Sequence, residues 1–292
     1  MGTVKVSGRA HDMEGVPVRR VMPHRTCRAI GPFVFLDHMG PTEVPVQVAP
    51  HPHIGLSTLT WLFSGEMRHR DSLGNDQMVR PGEVNWMTAG RGIVHSERAG
   101  DLSAPLHGLQ CWVAQHREEE QGESSFQHLA SAALPRFSSE GVDWTLIVGH
   151  WLEQRSPLNI QWPTFFAEGR VQAAETWQWR YPSSHALGVY VVSGRLTVDW
   201  HDGEAMTLAP GELGAFPPPE SQAGPVVSAD VGTHFVVLGG EPLPEPRQFD
   251  WNFVSSDPAL LAQARADWIA ERFPSVPGDS GRIPHPAEKS SG

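Results

Sequence analysis

The stretch FSGEMRHRDSLGNDQMVRPGE, residues 63–83, returns in altered form as VSGRLTVDWHDGEAMTLAPGE, residues 192–212. In each copy 16 positions separate a Ser-Gly glycine (Gly65, Gly194) from a Pro-Gly proline (Pro81, Pro210), and the copies are offset by 129. Such turns are common singly, but equal spacing in both halves of a chain points to two copies of one domain. Glycine supplies the φ > 0 that a tight turn needs, and Pro-Gly makes a turn before the next strand. Around them lie short apolar segments, PFVFLDH (32–38), CWVAQH (111–116), WTLIVGH (144–150) and THFVVLGG (233–240), in a chain with 29 glycines and 26 prolines. Runs punctuated in this way read as an all-β chain, hence two tandem β-barrels.

The 292 residues, 39% hydrophobic with 11 Trp and 12 Phe, suffice for two medium cores. A net charge of −11 without any basic run argues against direct nucleic-acid binding. Cys27 and Cys111 lie 84 positions apart, neither a disulfide framework nor a C-x-x-C pair. No apolar run approaches the roughly 20 residues of a membrane span. The opening MGTVKVSGRAHDM lacks a secretory apolar core, and Val6 breaks the N-myristoylation pattern. A soluble, cytoplasmic protein with reduced thiols is expected. One helix is well specified: Asp257 as N-cap, Pro258 in the first turn, then ALLAQARADWIAERF (259–273) with Leu261, Ala264, Trp268 and Phe273 in helical register. A second helix is expected over SSFQHLASAAL (124–134), and the polar tail from Pro274 is expected to lack fixed structure. The expected division is a first domain over 1–130, a second over 131–255, and a C-terminal helix with a flexible tail over 256–292.

The chemistry gathers in the first copy. HPH places His51 and His53 two residues apart, and AGRGIVHSER (89–98) does the same for His95 and Glu97. Side chains two apart on a strand point to one side, so two such strands bring three imidazoles and a carboxylate into one space. Pro52 cannot donate to a ladder, which puts the first pair on an edge or at a strand entrance. Either pair alone is unremarkable in a chain with 15 histidines. Jointly they are specific: H-x-H, a turn glycine 12 residues on, Pro-Gly, then H-x-E 14 residues after that proline. A nitrogen-oxygen donor set without thiolate suits one divalent transition ion, iron first, with Mn, Ni, Cu or Zn possible, better than calcium or magnesium. At the offset of 129 these four positions map to Arg180, Pro182, Gly224 and Val226, so the second copy is expected to lack the metal.

GPFVFLDHMGP (31–41), HPHIGLSTLTWLFSGEMRHRDSLGN (51–75), RPGEVNWMTAGRGIVHSER (80–98) and LHGLQCWV (106–113) resemble the signature segments of the pirin family, and GGEPLPEP (239–246) does so more loosely. The resemblance implies a bicupin, two jelly-roll-like cupin barrels packed face to face, with His51, His53, His95 and Glu97 as metal ligands in the first. Where cupins usually carry a glutamate after H-x-H, the matching residue is taken as Ser57. Several pirins resemble flavonol 2,4-dioxygenases (quercetinases), which implies a small aromatic or enediol substrate, O2, and opening of the heterocycle with loss of carbon monoxide. Glu97, the one carboxylate of the set, is the natural catalytic base for the substrate's 3-hydroxyl. The rival implied role is a metal-gated regulatory protein that binds another protein without turnover. A third, an isomerase or sugar-binding cupin, rests on Arg68 and Arg91. Trp61, Phe63, Trp86 and Met87 are candidates to line a pocket, and His38 and His107 to hydrogen-bond the ligands. The second barrel is expected to cover the surface through which single-domain cupins pair, giving a monomer.

Overall fold

The computed structural model describes residues 2–13, 15–100, 104–173, 176–200, 205–219 and 224–289. The chain divides into two compact units, one of His11–Val18, His38–Ser131 and Pro244–Gly292, the other of Met1–Ala10, Arg19–Asp37 and Ala132–Leu243. The units are therefore interleaved in sequence, whereas the expected boundaries at 130 and 255 were consecutive. Strand pairing accounts for the exchange. Val4–Ser7 pairs with Glu212–Phe216 of the second barrel, and Phe253 bridges to Ile54 of the first.

In the first barrel a seven-stranded sheet runs Ser125–Leu129, Val84–Thr88, Leu56–Ser64, Leu106–Ala114, Phe33–Thr42, Val16–Met22, Arg9–Met13. A four-stranded sheet runs Gln47–His53, Ile93–Ala99, Met67–Asp71, Asp76–Val79. Gln47–His53 is an edge strand, where Pro52 is tolerated. The second barrel repeats the pattern, and the offset of 129 holds residue by residue: Met67 faces Val79 and Leu196 faces Leu208, while Trp61 faces Val84 and Tyr190 faces Leu213. The turn glycines Gly65 and Gly194 have φ of 76° and 83°, the left-handed region the repeat demanded.

At the strands that carry the histidines the equivalence slips by one residue. Glu97 pairs with His69, and the matching pair is Val227 with Val198. His95 pairs with His51, and the matching contact is the Trp179 N–H donating to the Pro225 carbonyl. The counterparts of His51, His53, His95 and Glu97 are thus Trp179, Tyr181, Pro225 and Val227, each one residue from the position expected. The cause is one extra residue in the second barrel on each side of the matched centre: ten steps lead from His51 to Trp61 but eleven from Trp179 to Tyr190, and thirteen from Val84 to Glu97 but fourteen from Leu213 to Val227. A one-residue slip reverses which side chains face inward. Trp179 is buried among Trp144, Trp151 and Phe235, so the second barrel closes on aromatic rings.

The helix forms over Pro258–Ile269, with the Asp257 side chain accepting from the Ala259 N–H and Leu261, Ala264 and Trp268 buried. No helix among the described residues is long and apolar enough to cross a membrane. Two local expectations change. Residues 125–129 are a strand, because the free edge of Val84–Thr88 rewards the alternation of Phe126 and His128 more than helix propensity does. The tail is docked through 289: Asp279 forms a bidentate pair with Arg98, the Ile283 N–H donates to the Pro50 carbonyl, and Val276 and His285 are buried.

The returning segment is anchored by a buried ion pair, Arg247 Nε to Glu120 Oε1 at 2.8 Å, with both side chains 2% exposed. Ser255 and Ser256 donate to the same carboxylate. Glu120→Ala leaves the buried guanidinium to the Gln115 and Glu245 carbonyls and the Glu245 carboxylate at 3.9 Å, without its closest counter-charge, so a loss of about 3 kcal/mol is expected, read from the urea midpoint of tryptophan fluorescence. The double replacement Glu120→Leu with Arg247→Met should recover much of it.

Candidate metal centre

Three adjacent strands build the site. His95 lies between His51 on one neighbour and Asp71 on the other, and Glu97 lies opposite His69. Directly opposed residues share a face, so His51, His53, His69, Asp71, His95 and Glu97 point to the same side. His51, His53 and His95 are buried, and one ring nitrogen of each lies within 4.8 Å of the others. The Nε2 atoms of His53 and His95 are 3.1 Å apart.

Hydrogen bonds fix the tautomers. His51 Nδ1 is 2.9 Å from the Ala49 carbonyl and His53 Nδ1 is 3.1 Å from the Asn252 carbonyl; both oxygens only accept, so both Nδ1 atoms carry the proton. His69 Nε2 donates to Asp71 Oδ2 at 3.1 Å, leaving its Nδ1 to accept from His95 Nδ1 at 3.4 Å. Each Nε2 therefore keeps its lone pair for the shared space. Burial lowers the His51 pKa to about 4, against the help of the Ala49 carbonyl, and holds His53 and His95 well below the usual imidazole range, with the neighbouring imidazoles adding to the effect. Two bare nitrogens facing each other at 3.1 Å make an arrangement that a cation completes, and neutral imidazoles are the form that binds one.

Glu97 is buried but lies outside the three-imidazole group. Its Oε1 accepts from Gln110 Nε2 at 3.0 Å, and Gln110 Oε1 accepts from Thr60. Burial pushes the Glu97 pKa up to about 7, with the Gln110 bond drawing it back. For Asp71 burial also pushes upward, but the bonds from His69 and Asn75 win and hold it below the carboxylate range.

The opposite wall is the Thr58, Thr60, Met87, Gln110 and Trp112 face of the large sheet. Trp112 meets the His53 ring edge to face at 5.1 Å, and Phe126 stacks on His69 at 4.5 Å. Strand alternation puts Trp61, Phe63 and Trp86 on the far face, so of the four expected pocket residues only Met87 faces the histidines. Ser57 bonds Thr88 on that far face, and Thr58 is the residue turned toward the site. His38 and His107 meet each other, Nε2 to Nε2 at 2.7 Å, beside Phe63. Arg68 is tied to Asp76 by two 2.6 Å bonds, and Arg91 is exposed, which weakens the isomerase reading. His69, Asp71 and Gln110 were missed by spacing arguments. The H-x-D of residues 69–71 was their one visible signal.

Two barrels of one design, one with a buried three-histidine group able to hold a metal ion, define a bicupin with a single candidate metal centre among the described residues. Residues 15–113 match the Pirin family model and residues 166–274 the Pirin C-terminal cupin domain. The chain belongs to the pirin family. It is 39% identical to a pirin-like protein of Caulobacter vibrioides over 95% of this chain and 97% of that one. It is 30% identical to human pirin over 87% of each. A crystal structure of quercetin 2,3-dioxygenase from Acinetobacter baumannii superposes with a TM-score of 0.88 at 31% identity, covering 98% of this chain and 95% of that one.

His69→Phe and Asp71→Asn remove the support of His95, and each is expected to weaken metal affinity about 10–100-fold in competition with a chelating dye. The metal-free protein should also lose stability on acidification. Below pH 6.5 the unfolded chain takes up protons at the three histidines that the native state, with His51 at about 4, refuses. Glu97 works the other way, since its raised pKa of about 7 stabilises the native state at low pH and that contribution is lost as pH rises through 7. Three imidazoles outweigh one carboxyl, so urea midpoints should fall from pH 6.5 toward pH 4.5, less steeply in His51→Leu.

Proposed function

We propose that this protein is a metal-dependent dioxygenase that opens the heterocycle of flavonols. The observation that carries the reading is the convergence of three neutral imidazole nitrogens beside a buried carboxyl that titrates near neutrality. His51, His53 and His95 would hold a divalent transition ion, iron first among Fe, Mn, Ni, Cu and Zn, with Glu97 as fourth ligand. Such an ion supplies Lewis acidity toward a hydroxyl and redox capacity toward dioxygen. The likeness to the Acinetobacter quercetin 2,3-dioxygenase supports a flavonol-like substrate.

Glu97 takes the proton of the substrate's 3-hydroxyl, and the Gln110 N–H, fixed in turn by Thr60, keeps the carboxylate oriented for it. Trp112, Met87 and Phe126 give the space apolar walls suited to a planar ring and poor in water. In the overall reaction both atoms of O2 enter the organic product, C3 leaves as carbon monoxide, and the proton taken from the hydroxyl ends on the product carboxyl. The same reading places the protein in the cytoplasm, acting as a single chain.

Oxygen uptake with quercetin by protein of known metal content tests this. Glu97→Gln should retain most of its metal while losing about 10²–10⁴-fold in turnover. Full turnover by the metal-loaded variant would remove Glu97 from the chemistry. No uptake by any fully loaded wild-type form would favour the regulatory, partner-binding role.

A further inference from the structure

The wall facing the histidines contains a polar row that the metal centre does not use up. Asn85 lies directly opposite Thr60 on one neighbouring strand and His128 on the other, so all three share the face on which Gln110 reaches Glu97. Thr60 and Gln110 are satisfied by the chain of bonds that ends on Glu97. Asn85 is not. Its Oδ1 is engaged by His128 Nδ1 at 2.8 Å, while its Nδ2, in a side chain 3% exposed, has no partner. A buried amide left without an acceptor has lost its hydration and gained nothing in exchange, and native proteins keep few such groups.

The fold does not demand this amide. In the second barrel the same strand pair forms with Val189 opposite Gly214, the counterparts of Thr60 and Asn85 at the offset of 129. There the wall is apolar and the barrel is filled with rings. The unpaired donor occurs in the barrel that carries the histidine cluster, on the wall turned toward it, with its amide held by a neighbour.

We propose that Asn85, oriented by His128, is a specificity-determining residue whose Nδ2 donates to an oxygen acceptor of the ligand taken into the first barrel, a carbonyl or phenolate of an oxygenated aromatic. The inference rests on the dioxygenase reading for the class of ligand. The donor is unpaired in the free protein and paired in the complex, so an analogue of the site lacking it binds less tightly while the free protein gains.

The test is anaerobic titration of quercetin, followed by absorbance, into iron-loaded wild type, Asn85→Leu and Asn85→Asp, with metal content from elemental analysis and melting temperatures of the metal-free proteins. Both variants are expected to keep the wild-type metal content and to bind quercetin at least 10-fold more weakly, with Asn85→Leu melting at or above the wild-type temperature. Unchanged affinity in Asn85→Leu overturns the proposal, wild-type affinity in Asn85→Asp overturns the donor role, and weaker binding with a lowered melting temperature assigns Asn85 a structural role instead. Wild type that binds and turns over quercetin alongside unaffected variants sinks this inference alone. Wild type that does not bind quercetin sinks it together with the dioxygenase reading.

Discussion

Three imidazole lone pairs held toward one buried point form the constraint around which the first barrel is arranged. Such a cluster is unfavourable by itself, since buried acceptors face one another with no proton between them. It persists because each ring is held from behind by the bond its Nδ1–H makes, to Ala49, to Asn252 or to His69. Burial then suppresses the protonation that would otherwise relieve the site, as the lowered pKa values show. Orientation and desolvation together leave a nitrogen site ready for a cation and poor in alternatives.

The second barrel shows what the same strand frame does without that constraint. With Trp179 and Tyr181 standing where His51 and His53 stand in the first, the interior becomes a core of Trp144, Trp151, Phe165, Phe216 and Phe235. Each fully buried aromatic contributes on the order of 1.5–3 kcal/mol of hydrophobic stabilisation beyond its ring contacts. One copy fills its interior with aromatic rings and the other gathers imidazoles there, and the first copy's polar residues are therefore informative.

What the sequence made legible follows the range of the interactions. The repeat, the all-β class and the pairs at 51/53 and 95/97 depend on spacing along one strand, which is readable directly. Ser57 and the four mapped positions of the second copy were each displaced by one residue, because facing depends on register, and for the mapped positions on an extra residue in each of two segments of the second copy that no local pattern marks. His69 and Asp71 were invisible for a related reason, since their roles arise only when a third strand pairs beside Ile93–Ala99. The strand at 125–129 went unread because an open sheet edge overrides a helical pattern. The tail misled most, since residues 274–289 have the composition of a free segment and their order comes from partners near positions 50 and 98.

Those distant partners tie residues 252–283 to the strands that carry the histidines. The Asn252 carbonyl fixes the His53 tautomer, and the next two residues pair with Ile54. Asp279 grips Arg98 three positions beyond His95, and Ile283 bonds Pro50 one position before His51. Both histidine-bearing strands are thus braced by residues that follow the second barrel in sequence, and the Glu120–Arg247 pair secures the point at which that segment returns. A loop or solvent could accept the His53 proton, but with a wider choice of ring orientations, and three lone pairs converge only if each ring has one choice. The orientation of the imidazole cluster in the first barrel therefore depends on residues 252–283, which lie some 180–230 positions beyond the rings they brace.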